Sequence, residues 1–263
     1  MTPIDLTPAD LLIAAALVLV DALASVLLGL RLHRQLLVAA ARCAVQLLLI
    51  GFLLRFVFAA EAPLLTLGII LLMVAIAGRE VAARPERRLA RHGNQIAGLS
   101  AVALATFITA IFALATAIRP EPWYAARYAI PLAGIMLGNA LNAASLSLDA
   151  LLSAVTRERA AIEAQLALGT SFRDAMRPLL REAVRRGMLP IVNTMSAAGL
   201  VTLPGIMTGQ ILAGLSPVSA VKYQIMLMFL LAGATGIAAV GAAYFAARRL
   251  TDGRERLRLD LLH

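Results

Sequence analysis

Lysine and cysteine each occur once in this sequence, as Lys222 and Cys43, and charged residues make up only 15% of it. Soluble domains carry about 25%. Each scarcity excludes something. A phosphate-cradling loop needs a glycine-rich turn and a lysine. Lys222 sits instead in Ala220-Val221-Lys222-Tyr223, so the chain is not expected to hydrolyse nucleotide or to bind a cofactor of its own. One cysteine cannot close a disulfide within the chain, and Cys43 in an apolar run reads as a small hydrophobe. His33, His92 and His263 are scattered. No Cys/His cluster has metal-ligand spacing, and no metal ligand is assigned. No Ser/His/Asp or paired-carboxylate arrangement stands out, so the chain does not read as an enzyme. From Met1 to Asp10 there are two acids and no basic residue. A secretory leader begins with positive charge, so the first apolar run is expected as a retained membrane helix.

Apolar residues are what the chain has in excess: 61% of its 263 residues, with a mean hydropathy of +0.85. A soluble core of this size cannot hide that surface, so lipid must be the solvent for much of it. A span needs about 20 apolar residues. The pattern predicts an all-α, polytopic transmembrane bundle of about seven spans: Ala9–Leu30, Leu36–Phe58, a short third from Pro63 to Ala77, Ile96–Ile118, Tyr128–Leu152, Met188–Leu212 and Val221–Ala247. Residues 1–263 read as one transmembrane domain, with a polar segment at 153–187.

The net charge of +9 comes from arginines in short loops, which points to anionic lipid rather than to nucleic acid. They crowd the loops after spans one, three and five and the tail after span seven, including Arg88 and Arg91. The opposite loops hold only Arg119, Arg127 and Lys222. This asymmetry predicts the N-terminus outside and the C-terminus in the cytoplasm.

Three regions carry polar groups in a pattern. In the segment after span five, Ile162 and Leu166 alternate with charges at helical spacing. Gly169 fits a helix C-cap or tight turn, and Thr170 or Ser171 a new N-cap. Two short helices there would form a cytoplasmic knob or lie on the lipid surface. In span six, Pro204 removes an N–H donor and breaks the helix, with Gly205 and Gly209 loosening it. Freed backbone inside a membrane lines a cavity or packs against protein. Asn193, Met207 and Gln210 belong to the same span. In span five, Asn142, Ser145 and Asp149 share a face with Asn139 beside it, and Gly134 and Gly138 form a Gly-x-x-x-Gly seam. These groups are a hydrophilic pathway or polar glue between helices. Asp21 of span one and Arg42 of span two lie at depths differing by roughly 5 Å. They are expected to pair, with Gln46 joining them, unless Arg42 snorkels to the interface.

Several of these stretches resemble one family. Glu163-Ala164-Gln165 followed by Gly169 is similar to the coupling motif of ABC importer permeases, with Leu189-Pro190 displaced from that motif's ending. The longer runs Gly138 to Asp149 and Gly199 to Gly214, then Pro217 and Ala220 to Ile225, resemble the FetB-type ABC transporter permeases. Arg42-Cys43-Ala44-Val45-Gln46-Leu47 does too. That family exports iron in bacteria and includes plant aluminium-sensitivity relatives linked to nucleotide-sugar transport. The resemblance implies a homodimer in the bacterial inner (plasma) membrane, with separate cytosolic ABC ATPase subunits that use ATP. It implies Glu163, Ala164, Gly169 and Arg173 as the ATPase-coupling residues. It favours a substrate pathway over Asn139, Asn142, Asp149, Asn193, Pro204, Gly205, Met207, Gly209 and Gln210. Two other readings are a self-sufficient ion-coupled secondary carrier, for which only Asp21 and Asp149 could form an acidic relay, and an ABC permease for a non-metal solute. A non-transporting scaffold would leave no polar residue facing an interior.

Overall fold

The computed structural model describes residues 7–60, 62–85, 87, 89–90, 92–122 and 124–262, with Pro8 described by its backbone only. Arg88, Arg91 and His263, and the first residues of the acidic N-terminus, lie outside the described residues. Among the described residues nine α-helices follow one another: α1 Pro8–Leu27, α2 His33–Ala60, α3 Pro63–Ala83, α4 Gly93–Phe112, α5 Ala126–Arg157, α6 Arg159–Ala167, α7 Phe172–Ala197, α8 Gly205–Leu212 and α9 Pro217–Arg249. Among the described residues there are isolated β-bridges but no strand. Among the described residues six helices are long and apolar enough to cross a membrane: α1 from Ala9, α2, α3, α4 with its π-helical extension Ala113–Ile118, α5 and α9.

The chain divides into two compact units. One comprises the N-terminal residues through Ala62 together with Leu212–Gly214, the other Pro63–Ile211 and Leu215–His263. In the first, α1 and α2 pack as a pair. Thr7 caps α1 in a reciprocal box: the Asp10 N–H donates to Thr7 Oγ1 at 3.4 Å and the Thr7 N–H to Asp10 Oδ2 at 2.8 Å. The α1–α2 turn is held by the Leu32 N–H donating to Ser25 Oγ at 2.9 Å.

In the second unit, α5 and α9 form the centre, and α3, α4 and α7 pack around them. Small residues permit this. Ala234, Ala238, Ala239, Ala242, Ala243 and Ala246 of α9 are wholly buried. With little hydrophobic drive between helices in lipid, close backbone approach supplies the packing energy. Gly187 shows how close. A Cβ there would overlap Ser147 Oγ and lie 2.8 Å from the Ala143 carbonyl and 3.1 Å from Ala239 Cβ. A side chain at position 187 would wedge α5, α7 and α9 apart. Gly98 lets α4 meet Val81 of α3 in the same way.

Three expected segments change. The third span is longer than Pro63–Ala77: α3 continues through Arg79 and Glu80 to Ala83, and Gly78 and Val81 of that extension are buried against α4. The sixth span, Met188–Leu212, is not one helix. α7 runs from the polar segment through Pro190 to Ala197, the chain breaks over residues 198–204, and α8 follows. The break starts before Pro204. Gly199 adopts φ +85°, its N–H donates to the Thr202 carbonyl at 2.9 Å, and the Val201 N–H donates back to Ala197. Pro204 then leads into α8, its carbonyl accepting the Thr208 N–H at 3.0 Å. The expected segment 153–187 is likewise divided: Ser153–Arg157 end α5, Phe172–Gly187 belong to α7, and only α6 stands as a separate short helix. Lys222 is exposed in the second turn of α9, far along the same helix from Arg248 and Arg249.

Candidate functional site

The α6–α7 corner is built by local chemistry. α6 ends in a Schellman arrangement: the Thr170 N–H donates to the Gln165 carbonyl and the Gly169 N–H to that of Leu166, both at 3.0 Å. Gly169 takes φ +88°, which a side chain rarely adopts. Ser171, rather than Thr170, is the next N-cap, its Oγ accepting the Asp174 N–H at 3.2 Å. Ile162 is buried and anchors α6 to the bundle, while Glu163, Ala164, Gln165 and Ala167 face outward. Glu163 accepts from Arg159 at 2.9 Å. At the tip, Leu168 is 87% exposed. Arg173 lies exposed in the first turn of α7.

The tail after α9 reaches this corner. Glu255 Oε2 accepts the N–H of Phe172 at 2.9 Å, satisfying a donor of the α7 N-terminus that has no partner in the helix. The tail is itself fixed by the Ala90 N–H donating to Leu261 at 2.6 Å and the Arg258 N–H donating to Leu250 at 2.9 Å. Its turn is nucleated by Asp252, whose carboxylate accepts the Arg256 N–H at 3.0 Å and the Arg254 N–H at 2.9 Å. The Arg256 N–H above all holds Asp252 below the usual carboxylate range; burial opposes it, and the Arg254 N–H and the Arg256 guanidinium add to the lowering. A cleft of about 560 Å³ lies between α6 and the tail, lined by Glu163, Leu166, Gly169, Arg254 and Arg256 among others.

The second candidate region is the α5 face and the break between α7 and α8. Asn139 donates to its own helix, Nδ2 to the Ile135 carbonyl at 3.0 Å. Asn142 is exposed, and its Oδ1 accepts from Arg84 Nη1 at 2.7 Å. Asp149 is half-buried on the same helix. Asn193 is exposed near the end of α7. Pro204, Met207 and Gln210 are half-buried, Gly205 and Gly209 exposed, and no residue of α8 is fully buried. The Gln210 Oε1 is shielded yet lacks a hydrogen-bond partner among the described residues. In the break, Leu200 is 92% and Val201 81% exposed. Of the Gly-x-x-x-Gly pair, Gly134 meets Met73 of α3, whereas nothing lies within 4 Å of a Cβ at Gly138. In the first unit, Asp21, Arg42 and Gln46 are all on exposed flanks, and among the described residues Asp21 forms no ion pair with Arg42.

A family model described as "Uncharacterised protein family (UPF0014)" matches residues 8–251. The chain belongs to the UPF0014 family. It is 31% identical over 254 residues to the Probable iron export permease protein FetB of Escherichia coli, covering 96% of this chain and 95% of that one. The Protein ALUMINUM SENSITIVE 3 of Arabidopsis thaliana is 33% identical over 88% of this chain and 83% of its own. The UPF0014 membrane protein YjkA of Bacillus subtilis is 34% identical over 75% and 76%. No solved structure matches. The resemblance read from the Gly199–Gly214 run is thereby shown at the level of the family: this is a helical UPF0014 membrane protein whose relatives include a named permease.

Within this UPF0014 chain, the residues expected to couple to an ATPase, Glu163, Ala164, Gly169 and Arg173, fall on α6, the turn after it and the start of α7. Those expected to line a pathway fall on α5, α7, the break before α8 and α8 itself. Two partners escaped sequence reasoning, Arg84 and Glu255. They meet Asn142 and Phe172 across 58 and 83 residues, a separation that no local pattern announces.

Proposed function

We propose that this UPF0014 protein is the membrane-spanning subunit of an ABC transporter, exporting iron or another metal ion and driven by a separate cytosolic ATPase that uses ATP. Two copies would work together in a bacterial inner membrane, with the C-terminus in the cytoplasm. The observation that carries this reading is the α6–α7 corner: a rigid, capped turn with charges of both signs around an exposed Leu168. Glu158 and Glu163 would be repelled by anionic lipid, so the α6 side of the corner suits a groove in a protein. FetB, named a "Probable iron export permease protein", supplies the cargo class.

Gly169→Leu should keep membrane insertion while uncoupling ATP hydrolysis from transport, because Leu strains the φ +88° position. Cysteines placed along Ala160–Thr170 should cross-link to the co-expressed ATPase. If lipid-phase probes label all of them and no ATPase co-purifies, the reading fails in favour of a self-sufficient carrier or an interfacial segment.

A second reading keeps the ATPase and changes the cargo. The Arg84 guanidinium beside Asn142 would repel a bare cation on that face and favour an anionic or chelated solute. Efflux of free metal ions that rises in Arg84→Gln, where wild type transports them poorly, would support it; wild-type metal efflux unaffected by Arg84→Gln would sink it.

A further inference from the structure

Along α7, Arg173, Arg177, Arg181 and Arg185 recur every fourth residue, and all four are exposed. Like charges at this spacing repel one another. Among the described residues none of the four forms an ion pair. The pair that α7 does contain, Arg186 with Glu182 at 3.0 Å, lies on a different flank at 100° per residue.

Two clefts between α7 and α9 follow the row, of about 480 and 320 Å³, sharing Leu180 and Tyr244. The larger is lined by Arg181 and Arg185 together with Val184 and Val240. In the smaller, Arg173 and Arg177 are joined by Asp174, whose carboxylate is already engaged by the Ser171 hydroxyl at 2.7 Å. α9 is a membrane-crossing helix by length and composition. Val240 lies nine residues before its end at Arg249, roughly 13 Å along the axis. The groove therefore has guanidiniums along one wall and an apolar floor that continues down a spanning helix.

We infer that this groove is a binding site for an anionic phospholipid, with the phosphate held by Arg177 and Arg181 and an acyl chain laid along Val184 and Val240. Guanidinium forks match phosphate oxygens, and a tyrosine at the boundary suits the headgroup level. A cytosolic protein segment could satisfy the arginines but could not follow Val240 into hydrocarbon.

The test titrates the purified full chain with dioleoyl-phosphatidylglycerol and reads bound lipid by native mass spectrometry. Arg177→Gln/Arg181→Gln should weaken binding on the order of tenfold, with an unchanged thermal melt by circular dichroism. Arg34→Gln/Arg254→Gln, which removes the same charge elsewhere, should change it less than about twofold. Equal losses in the two pairs would reduce the effect to diffuse attraction and overturn the site. So would displacement of the lipid by inorganic phosphate at matched concentration, because the apolar floor would then contribute nothing. Undiminished lipid binding with lost capture of the ATPase would make the row a protein-docking face instead. Should the arginine pair fail to fold, Val240→Trp, which fills the apolar floor, carries the test: lipid binding should fall with it.

Discussion

Gly187 and Gly138 sit on helices of the same unit and answer to different neighbours. At Gly187 three helices cross, and a methyl group would press on the Ala143 carbonyl at 2.8 Å. Gly187→Ala should cost about 2 kcal/mol through overpacking, read as a lower detergent-solubilised melting temperature. At Gly138 a methyl meets nothing within 4 Å, and alanine is the better helix former by about 1 kcal/mol. Gly138→Ala should leave the melt unchanged or raise it. If Gly138→Ala destabilises as much as Gly187→Ala, the close-approach argument is wrong. Sequence alone flags Gly138 through its Gly-x-x-x-Gly spacing and passes over Gly187, which looks like the end of a polar stretch. The difference is that crowding at position 187 comes from α5 and α9, and nothing within its own helix reports on them.

At the scale of elements, what is local was readable. Gly169 and Ser171 declare a stop and a start by their own chemistry, and the cap geometry follows. Pro204 announces a break, but its extent was not readable, because the turn is set upstream by Gly199 and the Ala197 carbonyl. The tail was not legible at all. Its role appears only when Glu255 meets Phe172. Glu255→Ala should remove that cap and cost about 1 kcal/mol, while Glu255→Gln, which keeps an acceptor oxygen, should retain most of it. The tail turn should also depend on pH. Asp252 is held below the usual carboxylate range, so its contribution is complete above that range and is lost as pH falls through the lowered value. The protection of the Arg254 and Arg256 amides, taken relative to the intrinsic exchange rate at each pH, should fall in acid and stay constant toward neutrality. Constant protection across the acid range would contradict the Asp252 account.

For the molecule as a whole, the class was legible because composition forces it: 61% apolar residues and scarce charge leave lipid as the solvent. The pathway was not, because its proposed residues are distributed over α5, α7, α8 and the break before α8, and no local pattern reports how those elements meet. Asn142 and Gln210 lie on different helices, and the second carries a shielded carbonyl with no partner among the described residues. If two copies assemble around these groups, Asn142→Leu and Gln210→Leu should each lower metal efflux at least about tenfold while expression and dimer mass stay normal. Stable variants that export normally would place the route elsewhere.

The solitary lysine offers one more use. An amine-reactive reagent that cannot cross membranes finds a single side chain in this protein, exposed near the start of α9 and separated by the length of that helix from Arg248 and Arg249. The arginines are invisible to it. Whether intact cells or inverted vesicles take up the label at Lys222 therefore reports which face of the bilayer that end of the helix occupies, without altering a residue.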